Sequence, residues 1–461
     1  VFQLPEPGET IDGFLIGERI HAGGMGVLHR VTREGLEFPA VMKLPRLGPG
    51  EPAASVVSFE VEQTVLAALH GPYVPRFVAA GELTERPYLV MEEIAGRPLA
   101  EWAARAPLPP AEVARLGAAV ASALDALHRQ EAIHLDVKPS NVLVRDDGSA
   151  VLIDLGLAHH GHFPDLLAEE YRRPIGSAPY LSPEQVVGVR SDPRSDLFSL
   201  GVVLYELATG KLPFGSPGPG GLRARLWKVP SPPRALAPAV PEWLQEVILR
   251  CLEPDAARRP PSAAQVAFDL LHPEQVQVGE RGRRLRRPGP LARAGRWFRA
   301  AGYAPSGSAL PSSHAAAAPI LLVAVDTQHA DEATMQALRE AVGRLLAAPG
   351  QRRLACVAVV RPAPELGGSR EEDTAARQRL RHLAVLRGWA EPLGLGPGQA
   401  SFHVLEAGSP ADAILEFARQ NRVDHVVIAA PARGIRLRGT VATQVALEAP
   451  CTVTVVRGRE P

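Results

Sequence analysis

Two rhythms of apolar residues divide the chain. From about residue 13 to 47 apolar and polar positions alternate, as in strands with one buried face, around the glycine-rich run Ile20-His-Ala-Gly-Gly-Met-Gly-Val-Leu28. Ala40-Val41-Met42-Lys43 reads as a further strand, with Lys43 projecting inward among apolar residues. The pattern predicts a helix over 55–69 and a strand over 87–94. Val113, Leu116, Val120, Leu124 and Leu127 then fall at helical spacing in a long helix over 109–130. That helix delivers the chain to residues 132–158, which read as strand, loop, hairpin and strand. From residue 273 to 318 periodicity gives way to proline, glycine, serine and an alanine run, the composition of a tether. Beyond it, strands over 320–325, 354–360, 401–405, 425–429 and 452–456 alternate with helical patterns over 331–347 and 410–421. That alternation predicts a parallel, doubly wound sheet of about five strands.

Composition narrows the classes. A chain of 461 residues exceeds what one core organises, so it holds two or three domains. Lys+Arg and Asp+Glu both total 50, which gives no global charge toward nucleic acid or a membrane. Cys251, Cys356 and Cys451 lie far apart among apolar neighbours, so neither a disulfide framework nor a zinc site is indicated, and a reducing, cytoplasmic setting is expected. The apolar run at 319–325 is far short of the roughly 20 residues of a membrane helix, and the first residues lack a signal-peptide pattern. Basic residues are almost all arginine; the lysines are Lys43, Lys138, Lys211 and Lys228. A lysine kept against that bias marks a position needing a compact ammonium, and Lys43 and Lys138 both stand among candidate site residues.

Within residues 132–158, polar groups are set into apolar runs at His134-Leu135-Asp136-Val137-Lys138-Pro139-Ser140-Asn141 and Asp154-Leu155-Gly156. Phosphoryl transfer from ATP needs a carboxylate at the acceptor hydroxyl and oxygen ligands for metal, which Asp136, Asn141 and Asp154 supply. In this order the motifs resemble the catalytic loop and metal-binding motif of eukaryotic-type protein kinases, in their bacterial Ser/Thr form. The resemblance spans about residues 13–272. It implies a two-lobed α+β fold, the first lobe ending near residue 94 and the second beginning near 97. It implies ATP held by Gly23, Gly24, Gly26 and Leu28, by Ala40 and Lys43, and by a slot at Met91, Glu92 and Ile94. It implies Mg2+, with Mn2+ as a substitute, on Asn141 and Asp154, and Asp136 and Lys138 at the transferring group. A buried Lys43 needs a carboxylate; Glu62 shares a helix face with Val65, Leu66 and Leu69, whereas Glu60 falls largely on the other side, so Glu62 is expected to pair with Lys43.

The same resemblance assigns Ser177 to a hydrogen bond with Asp136 and Lys138, Glu184 to a structural pair with Arg259, and Asp196 to capping its helix and holding catalytic-loop N–H groups. It also exposes departures. His21, Leu28 and Ser182 replace the usual glycine, valine and alanine, and Leu135 stands where an arginine normally receives an activation-loop phosphate. Residues 154–176 contain no serine or threonine, Tyr171 being their only hydroxyl. Together these predict a kinase not switched by loop phosphorylation.

In the tail, Glu406-Ala-Gly-Ser-Pro-Ala-Asp-Ala-Ile414, Val423-Asp-His-Val-Val-Ile428 and Ala449-Pro-Cys-Thr-Val-Thr-Val455 resemble universal stress proteins over 319–458. That family's ATP-binding pattern is matched by Asp326 and by Gly439-Thr440, but its early glycines are Ala429 and Ala432. Loss of tail ATP binding is therefore favoured, leaving a regulatory or dimerising module with 451–456 as a pairing edge. The tether carries Arg281, Arg283, Arg284, Arg286, Arg287, Arg293, Arg296 and Arg299 around Trp297-Phe298, a stretch suited to an anionic surface if it is more than a solvated linker. The expected organisation is a kinase domain (1–272), a linker (273–318) and a stress-protein-like domain (319–461). The expected activity is ATP- and Mg2+-dependent phosphorylation of protein serines and threonines. The alternatives are a nucleotide-binding pseudokinase scaffold and an ATP-sensing stress protein.

Overall fold

The computed structural model describes residues 4–23, 26–45, 53–82, 86–163, 165–167, 174–215, 221–286, 320–347, 352–361, 369–395, 399–421, 423–430 and 440–457. The alternating segment near the start becomes an antiparallel six-stranded sheet. Its strands are β1 (Thr10–Ile11), β2 (Phe14–Gly23), β3 (Gly26–Thr32), β4 (Ala40–Leu44), β5 (Phe77–Ala80) and β6 (Leu89–Glu92), in the order β1-β2-β3-β4-β6-β5. One face closes over Phe14, Ile16, Val31, Met42 and Val90. The other receives helix α1 (Ala53–Ala68), which buries Val57, Val65 and Leu66 against Leu89. Phe59, Glu60, Val61 and Glu62 of α1 are also buried. A helix buried around so much of its circumference needs cover on more than one side.

The second lobe is helical, built on α2 (Pro110–His128), α3 (Arg194–Thr209), α4 (Glu242–Cys251) and α5 (Ala263–Leu271). Gly117 of α2 lets the helices meet closely: a Cβ there would lie 2.4 Å from Leu204 Cδ2 and 3.0 Å from Leu270 Cδ1. Two small ladders carry the loops between the lobes. One joins β7 (Arg97–Pro98), β9 (Val142–Val144) and β10 (Ala150–Leu152); the other pairs β8 (Ala132–Ile133) with β11 (His159–His160).

Residues 273–286, placed in the tether by composition, are instead ordered on the second lobe. Gln245 Nε2 donates to the carbonyls of Arg281, Gly282 and Arg284 at 2.8–2.9 Å, and Glu246 Oε2 accepts from the N–H of Gly279 and Gly282. Buried polar side chains on α4 hold this backbone, so no apolar period announces it. The arginines from Arg287 onward in the tether lie outside the described residues.

The tail is a parallel sheet of β12 (Ile320–Ala324), β13 (Arg353–Val360), β14 (Ala400–Glu406), β15 (His425–Ala429) and β16 (Thr452–Val456), ordered β14-β13-β12-β15-β16. Helices α6 (Glu332–Leu346) and α7 (Ser369–Ala390) cover one face; α8 (Pro410–Gln420) and α9 (Val441–Glu448) cover the other. Both faces are buried, which is why the strands read as near-continuous apolar runs. Among the described residues no helix is long and apolar enough to cross a membrane.

Candidate active site

The site forms where β4, α1 and the two loops flanking the β9–β10 hairpin converge. Lys43 on β4 donates to Glu62 Oε2 of α1 at 2.5 Å and to Asp154 Oδ1 at 3.2 Å. Burial works against the charge on all three groups. The two carboxylates outweigh it for Lys43, which holds its proton above the usual lysine range. One ammonium shared by two carboxylates leaves them unequal. Burial, reinforced by Asp154, pushes the Glu62 carboxyl up, while for Asp154 burial is overcome by Lys43, which holds it below the usual carboxylate range.

The catalytic-loop residues hold one another. Asp136 Oδ2 accepts from Lys138 Nζ at 2.6 Å and from Asn141 Nδ2 at 3.0 Å, and Asp136 Oδ1 accepts from the Ser177 N–H at 2.9 Å. The Ser177 hydroxyl receives Lys138 Nζ at 2.8 Å. Ser177 thus reaches Lys138 by its hydroxyl and Asp136 by its backbone, rather than both by the hydroxyl. The Ile153 N–H donates to the Asn141 carbonyl at 3.0 Å, which brings Asn141 and Asp154 to neighbouring positions. An amide oxygen and a half-buried carboxylate so placed fit a hard divalent cation.

Asp196, fully buried, accepts from the N–H of His134 at 2.9 Å and of Leu135 at 2.8 Å, and contacts His128 Nε2 at 2.8 Å. It does not cap its helix: the N-cap position is Pro193, and Asp196 lies inside the first turn with its carboxylate turned to the catalytic loop. Leu135 and Asp154 both have positive φ, 61° and 63°, conformations that non-glycine residues adopt only when their surroundings impose them. Gln185 Nε2 and Asp196 hold the two sides of the Leu135 backbone.

The glycine hairpin closes where Gly23 pairs with Gly26. Gly26 has φ 136°, and a Cβ there would lie 2.3 Å from the Leu44 carbonyl oxygen. Gly24 lies outside the described residues. Leu28 pairs with Lys43 and Ala40 with Glu92 across the sheet, while Met91 is half-buried and Ile94 follows the end of β6. Glu184 and Arg259 meet through two contacts, at 2.5 and 2.8 Å.

Several contacts have no signature in the local sequence. Ser58 of α1 donates to the Gly156 carbonyl at 2.9 Å, tying the helix to the loop after Asp154. Further along, Arg190 Nε donates to both oxygens of Asp165 at 3.1 and 2.8 Å, and its Nη2 to the Leu157 carbonyl at 2.9 Å. Tyr171 lies outside the described residues.

The tail residues are occupied locally. Asp326 Oδ1 accepts from the N–H of Gln328 and His329, both at 3.0 Å, and Thr440 caps α9 by accepting from the Thr443 N–H. Gly439 lies outside the described residues.

Residues 16–270 match the protein kinase domain family and residues 319–457 the universal stress protein family. The serine/threonine-protein kinase pkn2 of Myxococcus xanthus is 33% identical over 270 residues, 57% of this chain and 32% of that protein. The serine/threonine-protein kinase PknL of Mycobacterium bovis is 35% identical over 202 residues, 44% of this chain and 50% of that protein. The chain therefore spans half or less of the length of these relatives. The solved kinase domain of Mycobacterium tuberculosis PknI is 24% identical, covers 59% of this chain and all of its own, and gives a TM-score of 0.46. With its kinase match spanning both lobes around the Lys43, Asp136 and Asp154 cluster, the chain belongs to the protein kinase family, and it carries a universal stress protein domain behind its kinase domain.

Proposed function

We propose that this protein transfers the γ-phosphoryl group of ATP to serine and threonine hydroxyls of protein substrates in the cytoplasm. The carrying observation is one connected cluster: Glu62, Lys43 and Asp154 on one side, Asn141, Asp136, Lys138 and Ser177 on the other. Asp136 orients the acceptor hydroxyl and takes its proton. Lys138 lies beside it to offset charge on the transferring group, and Lys43, held by Glu62, fixes the phosphates. Asn141 and Asp154 would hold Mg2+ or Mn2+, which when bound neutralises charge on the phosphate oxygens. The glycine hairpin at Gly23 and Gly26 covers the phosphates, and the β6 segment from Met91 to Ile94 receives the adenine.

Loop phosphorylation does not control this site. Leu135 offers no phosphate receptor, and the Asp165–Arg190 pair already anchors the segment. Dimerisation, if the tail provides it, uses the edge strand β16, where Val455 is exposed. The arginine-rich tether gives an anionic surface its point of contact.

The test is phosphate incorporation from labelled ATP with Mg2+ into a protein carrying serine, threonine and tyrosine, comparing the chain with Asp136→Asn. Incorporation on serine and threonine that the variant loses is expected. Equal background from both overturns the reading.

A further inference from the structure

The stress-protein domain touches the kinase domain at the two elements on which site assembly depends. Arg387 of α7 donates to Glu60 of α1 at 3.3 Å, two residues from the Glu62 that holds Lys43. Arg353, the first residue of β13, donates to the His162 carbonyl and to His162 Nδ1, both at 2.6 Å, and lies over the Phe163 ring. Since a guanidinium only donates, His162 Nδ1 is the acceptor and its Nε2 carries the hydrogen toward Glu131, 2.8 Å away. Glu131 leads directly into β8, and β8 pairs with β11, just before His162. Asn421, after α8, accepts from the Asp165 N–H at 3.2 Å. Asp165 is the residue that Arg190 anchors.

These contacts come from one edge of the tail sheet. Arg353 opens β13, and Ile320 and Ser401, beside the same seam, stand at the starts of β12 and β14. The carboxyl ends of the strands, where open α/β sheets take ligands, lie at the opposite edge. Docking and a tail ligand therefore do not compete for one surface. The seam is also incompletely packed, with a cavity of about 270 Å³ among Val61, Val65, Phe77, Phe163 and Phe402. A seam of a few polar contacts beside an open pocket resembles a separable interface more than a shared core.

We propose that the stress-protein domain is a built-in activator of the kinase domain: docked, it holds α1 and the segment after Asp154 in place, and its release slows phosphoryl transfer. The sign follows from what coexists with docking, since Lys43–Glu62 and Ser58–Gly156 are both closed in the docked chain. The proposal rests on the phosphotransferase reading of the site.

The test uses the full chain with Glu60→Arg, Arg387→Glu and the two combined, Asp136→Asn setting the background. Each single charge reversal is expected to lower the serine/threonine phosphorylation rate by about 5- to 150-fold, the range of ordinary coupling between sites. It is also expected to speed amide exchange over 53–68 and 157–167, and the combined variant to regain both. Unchanged exchange in folded single variants, or a pair no better than the singles, overturns docking as drawn. Faster exchange with an unchanged rate overturns the activating role. A wild-type chain at the Asp136→Asn background sinks the phosphotransferase reading instead, and the exchange arm still decides docking.

Discussion

Arg259 spans Glu184 with two hydrogen bonds while their side chains are 0% and 1% exposed, and the same guanidinium donates to the carbonyls of Arg194, Glu253 and Pro254. Ser195 adds a hydroxyl to Glu184 at 2.8 Å. The pair thereby joins the segment after Ser177 to the start of α3 and the loop before α5. Removing one partner leaves a buried charge uncompensated. Arg259→Ala is expected to cost about 3–5 kcal/mol, read from denaturant unfolding of the chain, and Glu184→Gln to follow in the same direction. A loss under about 1 kcal/mol would place the pair among ordinary surface contacts.

Asp165 and Arg190 give a second prediction. Asp165→Asn is expected to loosen the segment by about 1.5–3 kcal/mol, the worth of a hydrogen bond to a charged group. Faster amide exchange over 157–167 would report it. Treatment of the wild-type chain with a phosphatase should leave its rate unchanged, because the anchor is a carboxylate. A rate that falls on dephosphorylation would contradict the reading of this loop.

His160 supplies the pH dependence. Burial, then the charge of Arg353 and of His159, lower its pKa from 6.5 to about 3. Its Nδ1 accepts from the His162 N–H, which fits a neutral ring. Between about pH 6.5 and about 3 the unfolded chain binds a proton that the folded chain refuses, so stability rises with pH across that window and falls on acidification. Above the window His160 contributes no slope. Thermal unfolding against pH should show this acid decline, and His160→Gln should make it shallower, the buried His159 contributing in the same direction.

Asp326 is committed to two backbone N–H groups of its own turn, so the tail is expected to bind no nucleotide. Equilibrium binding of ATP to the full chain should saturate at one per chain, unaffected by Asp326→Ala. Two sites, one of them lost in that variant, would reverse this.

How far the structure was legible varied with the range of the forces involved. The strands of the tail announced themselves because both sheet faces are buried. Helix α7 did not, since its sequence is highly charged and, among the described residues, Leu383, Leu386, Trp389 and Ala390 form a narrow buried apolar stripe at its end. Within the site, helical spacing distinguishes Glu62 from Glu60 as the neighbour of Lys43, and the structure brings Glu62 to Lys43. Spacing also leaves Glu60 on the far side, yet Glu60 is buried there, because Arg387 arrives from another domain. No local period encodes cover supplied from so far along the chain. Arg190 was invisible for a related reason: nothing beside it in sequence marks its partner.

A carboxylate written into the polypeptide cannot be hydrolysed off it. The Asp165–Arg190 anchor therefore has no eraser: a phosphatase finds no ester between these two side chains. Under the proposed activation by docking, the duration of activity is set by the lifetime of the docked state and of the protein itself.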